Sequence, residues 1–319
     1  MNKAKFNIQM SSRCSSPEDW EVTKSIVLEC EELGYHSVLF GDHLTWGDAR
    51  LECWTIISAL STITKKIKLG SLVLCNNFRN PALLAKMAAS LDIISRGRLE
   101  FGIGAGGQQL EHEAYGFDLP KPRIRIARLK EGIEIIKKMW TENKPSYKGK
   151  YYTIKDALCK PKPLQKPHPP LMIGGGGERY MLRVVAELAD IWNAFGPFNQ
   201  YSQKVKILEQ YCRQIGRNPQ EIEKSCMFPL LVYRTKTELM QRMKRDYQNR
   251  PVRRDIPFEK WIEMRRSRYV LGTPDEWLDK IRELVDIGIT HFVISSGHQV
   301  TDKRMEDLRL FAEKVITRI

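Results

Sequence analysis

No run of apolar residues in the 319-residue sequence approaches the roughly 18 needed to cross a bilayer, and the opening MNKAKFNIQM lacks the apolar core of a secretion signal. A soluble, cytoplasmic protein with no membrane partner is therefore expected. Cysteine is scarce and unpatterned: Cys14, Cys30, Cys53, Cys75, Cys159, Cys212 and Cys226 make an odd number with no C-x-x-C pair. That argues against a disulfide framework or a zinc site. The six histidines form no H-E-x-x-H pattern, and Glu111-His112-Glu113 sets its groups too close along the chain for an ordinary helical site, so no metal is expected. Acidic residues are the minority sign, 38 Asp and Glu against 52 Lys and Arg, a formal net charge of +14. A field of that sign draws polyanions. The basic residues are nevertheless spread over helix-like runs such as RIRIARLKEGIEIIKKMW, and no nucleic-acid-binding signature accompanies them. Nucleic acid is thus not the expected partner, and a phosphorylated small molecule explains the charge as well.

What is present is an alternation. Short apolar, β-branched runs at 5–10, 37–44, 67–74, 98–106, 171–175, 191–195, 227–233 and 291–295 read as eight strands. Between them lie amphipathic runs at 17–33, 53–64, 81–95, 123–140, 178–189, 201–215, 235–247, 274–287 and 305–318. Ser16-Pro17, Asn80-Pro81 and Thr273-Pro274 are start signals: a capping side chain precedes a proline whose missing N–H costs nothing in the first turn. Strands alternating with helices mean a parallel sheet, and eight such units point to an α/β fold of the closed (β/α)8 TIM-barrel type, a single domain over residues 1–319. Two stretches break the repeat, at 142–170 and 249–269. The first holds Tyr147-Lys148-Gly149-Lys150-Tyr151-Tyr152, which reads as a hairpin. Both are taken as barrel-loop insertions that build the substrate pocket.

In such a barrel the chemistry sits at the carboxyl ends of the strands. The second ends at Asp42-His43, where an imidazole can donate a hydrogen bond or a proton; an Asp-His turn that merely packs a loop is an equal alternative. The fourth ends Gly102-Ile103-Gly104-Ala105-Gly106-Gly107 and satisfies G-x-G-x-x-G. The acidic residue that a dinucleotide fingerprint needs some 20 positions on is missing, so the loop reads as clearance for a flat or phosphorylated ligand. The fifth ends in Gly174, Gly175, Gly176 and Gly177, followed by Glu178-Arg179. Four glycines at a helix start, with an arginine in its first turn, suit a phosphate. The sixth ends Asn193-Ala194-Phe195 and offers an amide to a ligand or to its own neighbours.

Leu33-Gly34-Tyr35 leading to Asp42-His43, then Phe78-Arg79-Asn80-Pro81, Gly97-Arg98, the fourth-strand glycines, His168-Pro169-Pro170, the 174–177 glycines, Gly272-Thr273-Pro274 and Gly288-Ile289 together resemble the luciferase-like monooxygenase family. The segment 160–179 and Gly216-Arg217-Asn218-Pro219 are most similar to its branch using the deazaflavin coenzyme F420. The resemblance implies an oxidoreductase that moves a hydride between C5 of the deazaflavin and a small organic substrate, with an FMN-dependent two-component monooxygenase as the alternative. It further implies a homodimer through helices beside the second and third strands. The cofactor is then expected across the barrel mouth, with its phosphate on the glycine loops and Asp42 and Cys75 near it. A non-prolyl cis peptide is expected beneath it at Leu72-Val73. His43 becomes the expected proton donor or substrate anchor. Sugar-phosphate dehydrogenases of the family carry a catalytic glutamate where this chain has Gly107, with Glu111 the nearest acid. The resemblance therefore does not extend to that activity.

Overall fold

The computed structural model describes residues 4–196, 198–249, 256–297 and 302–319. Strands β1 (Lys5–Met10), β2 (Ser37–Phe40), β3 (Lys68–Ser71), β4 (Leu74–Cys75), β5 (Leu99–Gly104), β8 (Leu171–Gly174), β9 (Ile191–Phe195), β10 (Glu223–Pro229) and β11 (Ile289–Ser295) form one parallel sheet. β3 also pairs with β5, Leu69 opposite Leu99 and Gly70 opposite Glu100, which closes the sheet into an eight-stranded barrel. The third strand of the barrel is thus two pieces, β3 and β4, separated by Leu72-Val73. The peptide bond between those two residues is cis, as expected.

Helices α1 (Pro17–Glu32), α2 (Cys53–Ile63), α3 (Pro81–Ile94), α5 (Pro122–Thr141), α6 (Met181–Leu188), α7 (Phe198–Gln214), α10 (Pro274–Asp286) and α11 (Asp302–Lys314) ring the barrel. The proline-led starts behave as their chemistry requires. Ser16 accepts from the Asp19 N–H, Asn80 accepts from the Ala82 and Leu83 N–H groups, and Thr273 and Glu276 make a reciprocal capping box. No helix among the described residues is long and apolar enough to cross a membrane.

Three expectations needed correction. The seventh barrel strand lies at 223–229, not 227–233, because its first residues are polar and hydropathy does not mark them. There the Glu223 carboxylate accepts from Lys5 Nζ at 2.8 Å and contacts His291 Nε2, at the amino-terminal end of the barrel where His36 also pairs with Glu100 at 3.1 Å. The chain from Leu230 to Tyr233 leaves the barrel for a second small core of Tyr233, Leu239, Met243, Trp261, Ile262 and Leu271. That core joins α8 (Lys236–Gln248) to α9 (Phe258–Arg266), and neither α9 nor the short α4 (Gln109–Ala114) was anticipated. The fifth-strand glycine loop is also longer than read: α6 begins at Met181, so Glu178 and Arg179 belong to the loop.

The 142–170 segment does contain the antiparallel hairpin, β6 (Tyr147–Lys148) with β7 (Thr153–Ile154). Its turn is held by Glu131 of α5, which accepts from the Lys150, Tyr151 and Tyr152 N–H groups at 2.9, 2.8 and 3.2 Å.

Candidate active site

Asp42, just past β2, is buried and uses both carboxylate oxygens on structure. Oδ2 accepts from the Cys75 N–H at 2.8 Å and from Arg79 at 2.6 Å, and Oδ1 accepts from Arg79 at 3.0 Å. Arg79 also donates to Glu52, whose carboxylate caps α2 by accepting from the Trp54 and Thr55 N–H groups. Burial works against the Arg79 charge, yet the hydrogen bonds and negative charges of Asp42 and Glu52 raise its pKa further above the usual range. Asp42 therefore ties the end of β2 to β4 and α3.

His43 points the other way. Its Nδ1 lies 3.0 Å from Glu111 Oε2, and the other oxygen of Glu111 accepts from the Thr45 N–H at 3.0 Å. Glu111 is 2% exposed. An ionised carboxylate only accepts, so Nδ1 carries the proton and Nε2 is left free for a second partner. The Trp46 ring lies 4.3 Å from the imidazole, centroid to centroid. Sequence reasoning made His43 a site residue and Glu111 only the acid nearest the glycines, because the two stand 68 residues apart.

Two cavities open at this end of the barrel and meet at His43 and Leu72, which line both. The smaller, about 390 Å³, runs over Asp42, Val73, Cys75, Ala105, Gly106 and Gly107 to Gly174 and Gly175. The larger, about 1040 Å³, extends beneath α9. The interruption of the third strand places the Val73 side chain among the strand glycines. A Cβ on Gly104 would lie 2.8 Å from a Val73 methyl, and one on Gly174 would lie 2.8 and 2.9 Å from both. These glycines thus leave room for Val73 first, and so flatten the floor of the cleft. A Cβ on Gly107, by contrast, would meet only an Arg125 nitrogen at 3.8 Å, which leaves that loop open to a ligand.

Cys75 and His112 close one side. Burial, with the nearby Asp42 charge, pushes the Cys75 thiol up to about 11, so it is not a thiolate nucleophile at neutral pH. Asn77 Nδ2 lies 3.3 Å from His112 Nε2, and His112 Nδ1 lies 2.8 Å from the Gln108 carbonyl, so both ring nitrogens are occupied within the protein. Beyond Gly175, the Gly176 carbonyl accepts from Lys204 Nζ at 2.6 Å, and the exposed Arg179 lies over the Tyr180 ring at 5.2 Å. Gly176, Gly177 and Arg179 sit past the rim of the smaller cavity rather than in its lining. Asn193 lines neither cavity, because its amide donates to Ser225 Oγ at 2.8 Å inside the protein.

A model of the luciferase-like monooxygenase family matches residues 6–291. The chain belongs to this family. Over 316 residues it is 27% identical to an F420-dependent glucose-6-phosphate dehydrogenase of Microbacterium testaceum strain StLB037, covering 91% of this chain and 90% of the relative. Its fold is shared with an F420-dependent secondary alcohol dehydrogenase solved with an F420-acetone adduct, at a TM-score of 0.77, 20% identity and 98% coverage of both chains. It is shared equally with a riboflavin lyase solved with modified FMN and riboflavin, at a TM-score of 0.80, 16% identity and coverage of 99% and 91%.

One expectation for this luciferase-like site fails. The 142–170 insertion follows a helix and precedes a strand, so it packs along α5 and α3, and no residue of it lines either of the two cavities meeting at His43. The second insertion lies with α8 in the long connection from strand β10 to helix α10, and it alone of the two supplies cavity walls: Ile256, Trp261, Met264, Arg265, Arg268 and Tyr269. Connection order in a barrel, not loop composition, decides which insertion faces the site.

Proposed function

We propose that this oxidoreductase uses coenzyme F420 and oxidises or reduces an organic substrate at the seam between the two cavities. The observation that carries the reading is the seam itself, where the Glu111-held His43 faces both spaces. The F420-dependent relative matched over nine-tenths of the chain supports it, as do the flat Val73 floor and the open Gly107 loop. When bound, the deazaflavin supplies or accepts a hydride at its C5. Leu72 and Val73 would form the floor beneath it, with Cys75, Ala105, Gly106 and Gly107 along its side. Gly174, Gly175, Gly176 and Gly177 would take its phosphate, with Arg179 and Lys204 as nearby cations.

The chain's own work is positioning and proton transfer. Glu111 holds His43 Nδ1–H; in the reducing direction the imidazolium gives its Nε2 proton to a substrate oxygen, and in the oxidising direction the neutral Nε2 takes it back. The fixed carboxylate supplies a counter-charge to the imidazolium. Asp42 acts through the strand ends it ties together. A homodimer through α2 and α3 fits Ile63, Leu83, Ile93 and Ile94, apolar side chains left exposed on those two helices.

Fluorescence titration of the purified protein with F420 and, separately, FMN tests the cofactor. Micromolar or tighter F420 binding with far weaker FMN binding is expected. A preference for FMN would favour the second reading, a two-component monooxygenase; a long-chain alkane monooxygenase shares this fold. Binding of neither sinks both. His43→Asn should leave F420 binding intact and lower turnover roughly 100- to 10,000-fold.

A further inference from the structure

The larger cavity has a composition that the hydride chemistry does not require. Aromatic rings of Trp46, Phe195, Trp261 and Tyr269 form much of its wall, joined by the thioethers of Met10, Met227 and Met264. Of its polar groups at the ends of β1 and β11, Gln9 Oε1 accepts from Ser295 Oγ at 2.7 Å and Ser11 Oγ accepts from Arg50 at 3.2 Å, while the Ser12 hydroxyl is buried without a partner. A polyhydroxylated substrate would leave hydroxyls unpaired against such walls, and a buried unpaired hydroxyl is costly.

The described residues bring charge of one sign to the lining. Arg50, Arg265 and Arg268 contribute to it, and no Asp or Glu does among the described residues. Arg50 is answered from outside the lining by Asp48 at 2.6 Å, and Arg265 is engaged as well, which leaves Arg268. Arg265 and Arg268 stand on and just beyond α9, with the Arg265 guanidinium 5.0 Å from the Trp261 ring and 5.9 Å from the Tyr269 ring. These cations belong to a packed unit, since Trp261 and Ile262 are buried against Tyr233, Leu239 and Met243. The cavity therefore runs from an imidazole, past apolar walls, to a fixed positive rim.

We propose that the substrate is amphipathic: a bulky apolar or aromatic body ending in an anionic group such as a carboxylate, which Arg268 holds. The body fills the space beneath α9 and presents its reacting carbon at His43. Volume agrees, since about 1040 Å³ lies at the top of the range for small-molecule sites. This inference rests on His43 as the reacting end, and deepens the proposed function from an organic substrate to a class.

The test needs no cofactor. The full chain, free of F420, is titrated with 1-anilinonaphthalene-8-sulfonate and with its neutral counterpart N-phenyl-1-naphthylamine, the same aromatic body without the charge. The sulfonate is expected to bind about ten-fold tighter, the worth of one charge-assisted contact. Arg268→Gln, at an exposed position that folding tolerates, should close that gap and leave the neutral dye's affinity unchanged, while Trp261→Ala weakens both. Dodecanoate should displace both dyes, and glucose 6-phosphate neither. Equal affinities in the wild-type chain, a gap that survives Arg268→Gln, or displacement by glucose 6-phosphate would overturn the proposal. If the dye results hold and F420 fails to bind, the cofactor reading falls and the pocket assignment stands.

Discussion

Replacing Gly174 by Ala is expected to damage the floor of the cleft through one side chain, Val73, and the damage should be reversible. The added Cβ would sit 2.8 and 2.9 Å from the two Val73 methyls, against roughly 3.5 to 4.0 Å for ordinary carbon contacts. Closing that gap needs a shift of nearly an ångström in packed surroundings, an overpacking cost of about 1 to 3 kcal/mol. Val73→Ala alone removes two methyls from a half-buried position and should cost about 1 kcal/mol. In the double variant the clash is gone, so its stability should match Val73→Ala alone, a coupling of about 1 to 3 kcal/mol. Gly102→Ala is the control: its Cβ would lie 2.2 Å from the Ser71 carbonyl oxygen, a backbone atom that Val73→Ala does not move. Thermal and urea unfolding of the single and double variants measures all of this, with about 2 °C expected per kcal/mol in a chain of this size. If the Gly174→Ala and Val73→Ala costs add to within about 0.5 kcal/mol, Val73 is not what the glycine accommodates.

Arg79→Met should destabilise by about 3 to 5 kcal/mol in urea unfolding at neutral pH, because Asp42 loses its counter-charge while buried; a loss below 1 kcal/mol would mean that the tie is not structural. Acid should weaken the fold from the amino-terminal end of the barrel. Burial opposes the Glu100 charge, but the His36 hydrogen bond and the His36, His291 and Lys68 charges hold its pKa at about 2 against the usual 4.5. Glu223 is likewise held at about 2, chiefly by its His291 hydrogen bond. A depressed carboxylate pKa contributes stability that is present above pH 4.5 and lost as pH falls towards 2, on the order of 3 kcal/mol for Glu100. Glu100→Gln should flatten the stability profile across that window, and an unchanged slope would refute the assignment. Glu111→Gln should lower turnover without altering F420 affinity, and its effect should not add to that of His43→Asn, since both act at one imidazole.

The parts of the fold legible in the sequence were those with a local cause. Ser16-Pro17 and Asn80-Pro81 set helix starts by capping chemistry, and the apolar alternation marked every barrel strand whose residues are apolar throughout. β10 escaped in register because Glu223, Lys224 and Ser225 are polar: their burial is compensated by Lys5, His291 and Asn193, partners that local hydropathy does not contain. α9 escaped for the same reason, as its apolar face is matched by Tyr233 and Met243 from a core outside the barrel.

The site was legible by residue type and hidden by pairing. Asp42 and His43 are neighbours in sequence and read as one motif, yet the structure separates their work: Asp42 faces Arg79, and His43 faces Glu111. Glu111 stood in view as the acid nearest the fourth-strand glycines, but its meaning depends on α4 turning it back towards β2. The glycines teach the complementary lesson. A run of glycines at strand ends suggests space kept for a ligand, and at Gly107 that space exists; at Gly104 and Gly174 the space is already filled by Val73. The distinction follows from where the third strand breaks. A glycine facing an interrupted neighbouring strand should first be tested against the side chain that the interruption turns inward, and only the clearance left over belongs to the ligand.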